Sequence, residues 1–555
     1  MGNYYDVTQW PIGNAQEDIG QVINSILEDL KAHQSQTDFH EGGKPGAVIY
    51  LPPGDYHLRT QVVIDRSYVK IMGSGHGFVS SSIRYNLPRE QWPSLHEMWP
   101  GGSRVLVDLV PDPGDETSGA AFYINREGDP RISSVEFENF CIDGLHFVED
   151  GGRDDPENTY VNGKTGIYVA SAQDSFRLNG MGMVYLEHGV VIYHADALSI
   201  HDNFIAECGS CIELRGWGQA SKVTENLLGA GYKGYSIYAQ NFGGLLVSSN
   251  NVFPRGKSSV HLSGVARSSI TGNRFHSFYP GMLEMDSNCA ENLVSSNHFY
   301  RSREPWPPMQ SHDNGLDDAY GLVHIEGFHN SLIGNHFSEV IDQEYIRPQG
   351  VRPVIVRVAS GYGNYIASNY MVGVTESAPA PAGKEDSCYS AQVGAMLSIA
   401  NAQPVPLVTV QVDAQAGDNI VLDSGREDQV VLDRTENAFR PTLPGTGKKK
   451  SRGCSFGEAA AFAVCKLSYG LCVNAGAAPV QWLWPAPSRA GEPKISPRPT
   501  RYSQAGSSTS PKAMRTGVNS TRHTSARLSR AAPFSFLLEK GPMAKRERWL
   551  RMLKD

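Results

Sequence analysis

What most limits the folds open to this 555-residue chain is an internal repeat. Seven segments end on the same Asn-x-apolar step: SIHDNFI (199–205), KVTENLL (222–228), VSSNNVF (247–253), SITGNRF (269–275), LVSSNHF (293–299), LIGNHF (332–337) and YIASNYM (365–371). Their Asn residues fall at 203, 226, 251, 273, 297, 335 and 369, with gaps of 23, 25, 22, 24, 38 and 34, and SFRLNGM places Asn179 another 24 residues upstream. A period near 23 is too short for a propeller blade, and its β content excludes a helical solenoid. It fits one coil of a β-helix, three short strands and three turns, rising by about 4.8 Å per coil. A short amide tolerates a turn backbone and can bond to the same position one coil away, which predicts an Asn ladder inside a turn.

An N-terminal cap is legible as well. Residues 18–32, DIGQVINSILEDLKA, place Ile19, Val22, Ile23, Ile26, Leu27 and Leu30 on one face of a helix that Asp18 can cap. Such a helix would cover strand edges otherwise left open at the first coil. The predicted fold is all-β, a parallel β-helix with an N-terminal capping helix. Its segments are a cap with the first strands (1–60), the β-helix (61–445) and a basic low-complexity tail (446–555).

Charge sets the tail apart. Residues 447–555 carry 20 Lys and Arg against 5 Asp and Glu, whereas the rest carries 29 against 53. An acidic body repels phosphate, so no nucleic-acid partner is expected for it. The Ser-, Pro- and Arg-rich tail reads as disordered or appended, with a basic arm for polyanions as the other reading. No apolar run reaches 18 residues, so no membrane span is expected. No signal peptide is visible at MGNYYDVTQW, which predicts a cytoplasmic protein, or a secreted one if the start has been trimmed.

Several motifs have bland explanations. GSGHG (73–77) follows a strand but opens no helix, so a tight turn is expected rather than a phosphate loop. Cys208 and Cys211 form a lone CxxC outside any helical context, which predicts buried thiols rather than a redox or zinc pair. No metal or cofactor is expected. The proline- and Asp-rich segment 303–321 reads as a loop on one face, a candidate lid or neighbour contact.

The carboxylates carry more. In IHDNFIAECGSCIELRGWGQ (200–219), strand alternation turns Ile212 and Leu214 to one side and Glu213 to the other. Asp202 stands 11 residues earlier, and both could flank one outer groove near a corner. A charged and a protonated carboxyl are the minimum apparatus for work at a glycosidic bond. Arg215 could hold hydroxyls and Trp217 could stack on a sugar. Glu284, Asp286, Asp317 and Asp318 compete on the same grounds, and solvated surface acids remain the simple alternative.

Between about Tyr5 and Pro444 the chain resembles the inulin fructotransferase family, which also contains difructose anhydride III hydrolases. The resemblance rests on YDVTQWPIG, PGAVIYLPPGDYHLRTQVVID, WPGGSRV, VNGKTGI, NFIAECGSCIEL, GQASKVTENLLGAGYKGYSIYA, NNVFPRG and RFHSFYPGM. It implies right-handed parallel β-helices assembled as homotrimers, with active sites between subunits that take a fructan or small carbohydrate. It also implies a catalytic pair at Asp202 and Glu213. Our assignment within the pair makes Glu213 the acid or base at the glycosidic oxygen and Asp202 the group that orients or deprotonates the nucleophile and stabilises the cation. The two roles are exchangeable, because microenvironment and not sequence sets the pKa difference. The hydrolase branch opens difructose anhydride III to inulobiose. The fructotransferase branch releases a dianhydride (III or I) from the end of inulin without consuming water. The expected activity is that of the hydrolase, with the fructotransferase as alternative and a non-catalytic sugar-binding module as the reading from another class. A pectate-lyase-like enzyme would want calcium-binding acids on adjacent coils.

Overall fold

The computed structural model describes residues 4–33, 46–77, 101–126, 131–144, 161–230, 234–253, 258–277, 279–301, 315–342, 352–376, 403–404 and 407–440. Met1–Lys450 form one compact unit. The basic tail expected from 446, and residues 303–314 of the proline-rich loop, lie outside the described residues.

Each coil contributes one strand to each of three long sheets, A, B and C, of 14, 12 and 15 strands. Pairing within them is parallel throughout, apart from the antiparallel contact of Gln403–Pro404 with Tyr370–Glu376. The expected parallel β-helix is therefore the fold. Its first full coil runs through Ala47–Tyr50, Gly54–Leu58 and Val62–Ile64, across the boundary expected at residue 60.

The single described helix, Ile19–His33, buries Ile19, Val22, Ile23, Ile26, Leu27 and Leu30. Asp18 caps it by accepting the Gly20 amide at 3.1 Å. The same carboxylate accepts the Thr60 hydroxyl at 2.6 Å and the Arg59 and Thr60 amides at 3.1 Å. One side chain thus fixes both the helix start and its seat on the first coil.

The amide ladder exists at the corner between sheets A and B. Asn203, Asn226, Asn250, Asn273, Asn297 and Asn335 each donate Nδ2–H to the Oδ1 of the next member at 2.9–3.0 Å, ending at Asn369. Two expected positions are corrected. Asn250 occupies the ladder, not Asn251, which sits in the following strand and accepts from Arg274 at 3.1 Å. Asn179 ends a sheet A strand opposite His201, and Met181 fills the ladder position, its amide bonding to Asn203 Oδ1. In a chain of period two, a one-residue slip exchanges an inward amide for an outward one.

A second ladder, unforeseen, runs along the corner between C and A through Asn292, Asn330, Asn364, Asn419 and Asn437. Between the corners the core is apolar, with Phe275, Phe299 and Phe337 stacked at 4.6 and 4.7 Å on the inner face of sheet B.

Candidate active site

Glu213 stands on the outer face of sheet C in the strand Ser210–Gln219, between the core residues Ile212 and Leu214, as alternation predicts. It is only 6% exposed. Both its oxygens are engaged: Oε1 accepts from His188 Nδ1 at 2.6 Å, and Oε2 accepts from Arg215 Nε and Nη2 at 2.8 and 2.6 Å. Burial alone would raise its pKa, but the hydrogen bond and charge of His188, with Arg215, hold it at about 2. Glu213 is a carboxylate throughout the neutral range.

The same contacts act on the partners. Burial pulls the His188 pKa down, yet the Glu213 bond and charge outweigh it, and the net shift is upward. Arg215 reaches past Glu213 to Glu116 at 2.9 Å and to the Tyr193 hydroxyl at 3.4 Å. Its guanidinium therefore ties two carboxylates together. Trp217, two residues on and 41% exposed, packs on the His194 ring and carries the Arg131 guanidinium over its face at 5.7 Å.

Asp202 is elsewhere. It is exposed in the turn between the sheet A strand Ser199–His201 and the sheet B strand Phe204–Cys208. Its φ of 59° is the left-handed value shared by the matching turns at Glu225, Ser249, Ser296 and Ser368. His76 of the GSGHG turn lies within its electrostatic reach. One chain does not place Asp202 and Glu213 in the same groove, because the whole sheet B strand and a further corner separate them.

Asp317 and Asp318 do not join Glu213 either. Asp317 accepts the Ala319 amide within its own turn, and Asp318 pairs with Arg301 at 2.7 Å in a network extending to Glu339. Glu284 pairs with His261 at 2.6 Å further along sheet C, and Asp286 accepts from Ser263 and Gly264. Cys208 and Cys211 are fully buried free thiols, their Sγ atoms against the carbonyls of Ala206 and Ile205, and burial raises both pKa values. Among the described residues no group of three or more His, Cys, Asp and Glu is placed to hold a metal ion.

Sequence reasoning missed His188, Glu116, Glu187 and Tyr193. A cavity of about 470 Å³ opens beside Glu213, lined by the 111–116 segment, Asn162, Gly163, Glu187 and His188. No local motif marks His188. It reaches Glu213 because it begins the preceding sheet C strand, His188–Asp196, where it pairs with Ser210.

Comparison with known proteins places this geometry in a family. A model described as the beta helix repeat of inulin fructotransferase matches residues 296–443, and one for periplasmic copper-binding protein (NosD) matches 130–340. The chain is 42% identical over 374 residues to an inulin fructotransferase (DFA-I-forming) of Arthrobacter globiformis, covering 66% of this chain and 88% of that one. Among solved structures it is similar to the DFA-IIIase of Arthrobacter chlorophenolicus A6, at 61% identity and a TM-score of 0.74, over 80% of this chain and all of that one. The complex of that enzyme with DFA-III matches at 61% identity and a TM-score of 0.73, over 80% of this chain and 99% of that one. The fold, the residues along it and these likenesses agree: the chain is a fructan- or difructose-anhydride-acting enzyme of the inulin fructotransferase and DFA-IIIase family.

Proposed function

We propose that the protein is a difructose anhydride III hydrolase that opens the cyclic dianhydride to inulobiose at a fructofuranosyl C2. The observation carrying this reading is the 61% identity to a DFA-IIIase over its whole length, against 42% to a fructotransferase. The open cavity at His188, about 470 Å³, has the volume of a small-sugar site. Opening passes through an oxocarbenium-like C2, and the fixed negative charge of Glu213 supports such a cation. Asp202 is the second member of the pair and orients the nucleophile. Its place at the A–B corner, away from the sheet C face, supports a site completed by a neighbouring subunit of a homotrimer.

The fructotransferase reading is favoured by the family model over 296–443. A product assay separates the two. Purified protein given difructose anhydride III in one tube and inulin in another should yield inulobiose from the first and leave the second untouched. Release of a dianhydride from inulin, with little inulobiose from the first tube, makes the protein a fructotransferase. A sugar-binding module would turn over neither.

A further inference from the structure

We propose that His188 is a catalytic residue, the group that carries the proton at the reacting sugar, and that Glu213 orients its imidazole. The inference rests on the hydrolase reading for its substrate and stands on the arrangement of the two side chains.

Glu213 is poorly disposed to hand over a proton. Both oxygens are held by cationic or N–H donors, the residue is buried, and its carboxyl stays ionised far below neutral pH. His188 is differently placed. Nδ1 is fixed on Glu213 Oε1, while Nε2 stands 3.8 Å from Glu116 and 3.9 Å from Glu187, beyond hydrogen-bond distance from either, and the residue lines the cavity. The backbone is pinned, since the amides of Glu187 and His188 both donate to the Lys164 carbonyl at 2.9 and 3.2 Å. Glu187 is itself tied to the Gly163 amide at 2.6 Å.

The charged groups facing the imidazole are Glu213 and Arg215 from the next coil, Glu187 beside it, and Glu116 with Asp112 and Asp115 across the cavity. Carboxylates outnumber the one guanidinium, which favours the imidazolium and agrees with the upward shift of His188. A carboxylate behind Nδ1 that orients the ring and leaves Nε2 for proton transfer is the division of labour in acid–base dyads generally.

The proposed cycle balances. Nε2–H gives its proton to the ether oxygen leaving C2, so that the C2–O bond breaks and a hydroxyl forms. The neutral imidazole then takes a proton from the water that adds to C2, one water is consumed, and His188 is recharged. In an intramolecular transfer the attacking fructosyl hydroxyl replaces the water.

Sheet C contains an internal control. His261 and Glu284 are also 2.6 Å apart, but neither lines the cavity. The experiment compares wild type, H188Q, H188A, E213Q and H261Q of the full chain on difructose anhydride III, with kcat followed against pH and imidazole added to H188A. In parallel, the His188 resonance is titrated by NMR in wild type and E213Q.

We expect H188Q to lose at least about 100-fold in kcat, the usual worth of a positioned acid–base group, with KM changed only a few-fold. Imidazole should restore part of the H188A rate, and H261Q should behave as wild type. The wild-type rate should fall as pH rises through the His188 pKa, and that pKa should drop in E213Q. A near-normal kcat in H188Q overturns the proposal. So does a loss in H188A that imidazole leaves unchanged while the alkaline limb of the residual rate stays in place, because His188 is then packing. Wild-type inactivity on both the dianhydride and inulin defeats the hydrolase reading instead, and the titration still reports whether Glu213 governs His188.

Discussion

Glu213 and Asp202 differ in what surrounds them, and so in what their substitution reports. Asp202 occupies a left-handed turn position that Gly takes in other coils, at 272 and 334. Asn adopts that conformation readily, so Asp202→Asn removes the charge without straining the backbone. We expect kcat to fall at least about 100-fold with the thermal midpoint unchanged, measured by a steady-state assay alongside a melting curve. Glu213→Gln acts on stability too. The folded pKa of Glu213 lies below its ordinary 4.5, so its contribution is complete above that value and lost as pH falls toward 2. His188 is shifted above 6.5, so its contribution is complete below that value and lost as pH rises through the folded pKa. The stability gap between wild type and E213Q should therefore be widest at about pH 5–6 and shrink on either side. Urea midpoints measured from pH 3 to 9 check this, and a gap that does not vary with pH would refute the ion-paired assignment.

The coil and its ladders are the next scale. Asn297→Ala would leave the backbone amide and Nδ2 of Asn273 without the Asn297 oxygen they share. Each orphaned buried donor costs about 1–3 kcal/mol, so a loss of about 2–6 kcal/mol in unfolding free energy is expected from urea denaturation. Asn251→Ala, on the outer surface, should stay within about 0.5 kcal/mol. Equal effects of the two would contradict the ladder register. This contrast also shows where sequence reasoning stopped. The Asn-x-apolar step predicted coil, period and ladder correctly, but in the pair Asn250-Asn251 only strand register says which amide points inward. The second ladder carries the same signature, for Asn292, Asn330 and Asn364 each precede a buried apolar residue by two. It is legible in the sequence on the same grounds as the first. Glu213 was placed by alternation alone, whereas His188 meets it only through lateral pairing of adjacent coils, which sets His188 opposite Ser210 and which no local pattern encodes.

For the whole molecule, the likeness to the DFA-IIIase spans 80% of the chain. A chain ending at Gly445 should keep the melting temperature and rate of the full protein, which parallel assays would check. The proposed trimer with shared sites has its own test. Mixing D202N subunits with E213Q subunits under conditions that exchange protomers should recover part of the wild-type rate, because some interfaces then pair an intact Asp202 with an intact Glu213. No recovery in demonstrably mixed assemblies would place each site within one chain.

The three long spacings beyond Asn297 all open at one place. The chain from Arg301 to Val323, from Asp342 to Val354 and from Glu376 to Val408 leaves a sheet B strand and returns to a sheet C strand, while the C–A ladder keeps step across each gap and the A–B corner does so through Asn297, Asn335 and Asn369, which donates across the last gap to the Ser424 hydroxyl. Pitch and embellishment are thereby uncoupled. The B–C edge behaves as a socket into which segments of different length can be plugged without re-indexing a single strand, so relatives with different products could trade these pieces as interchangeable parts on a common spindle.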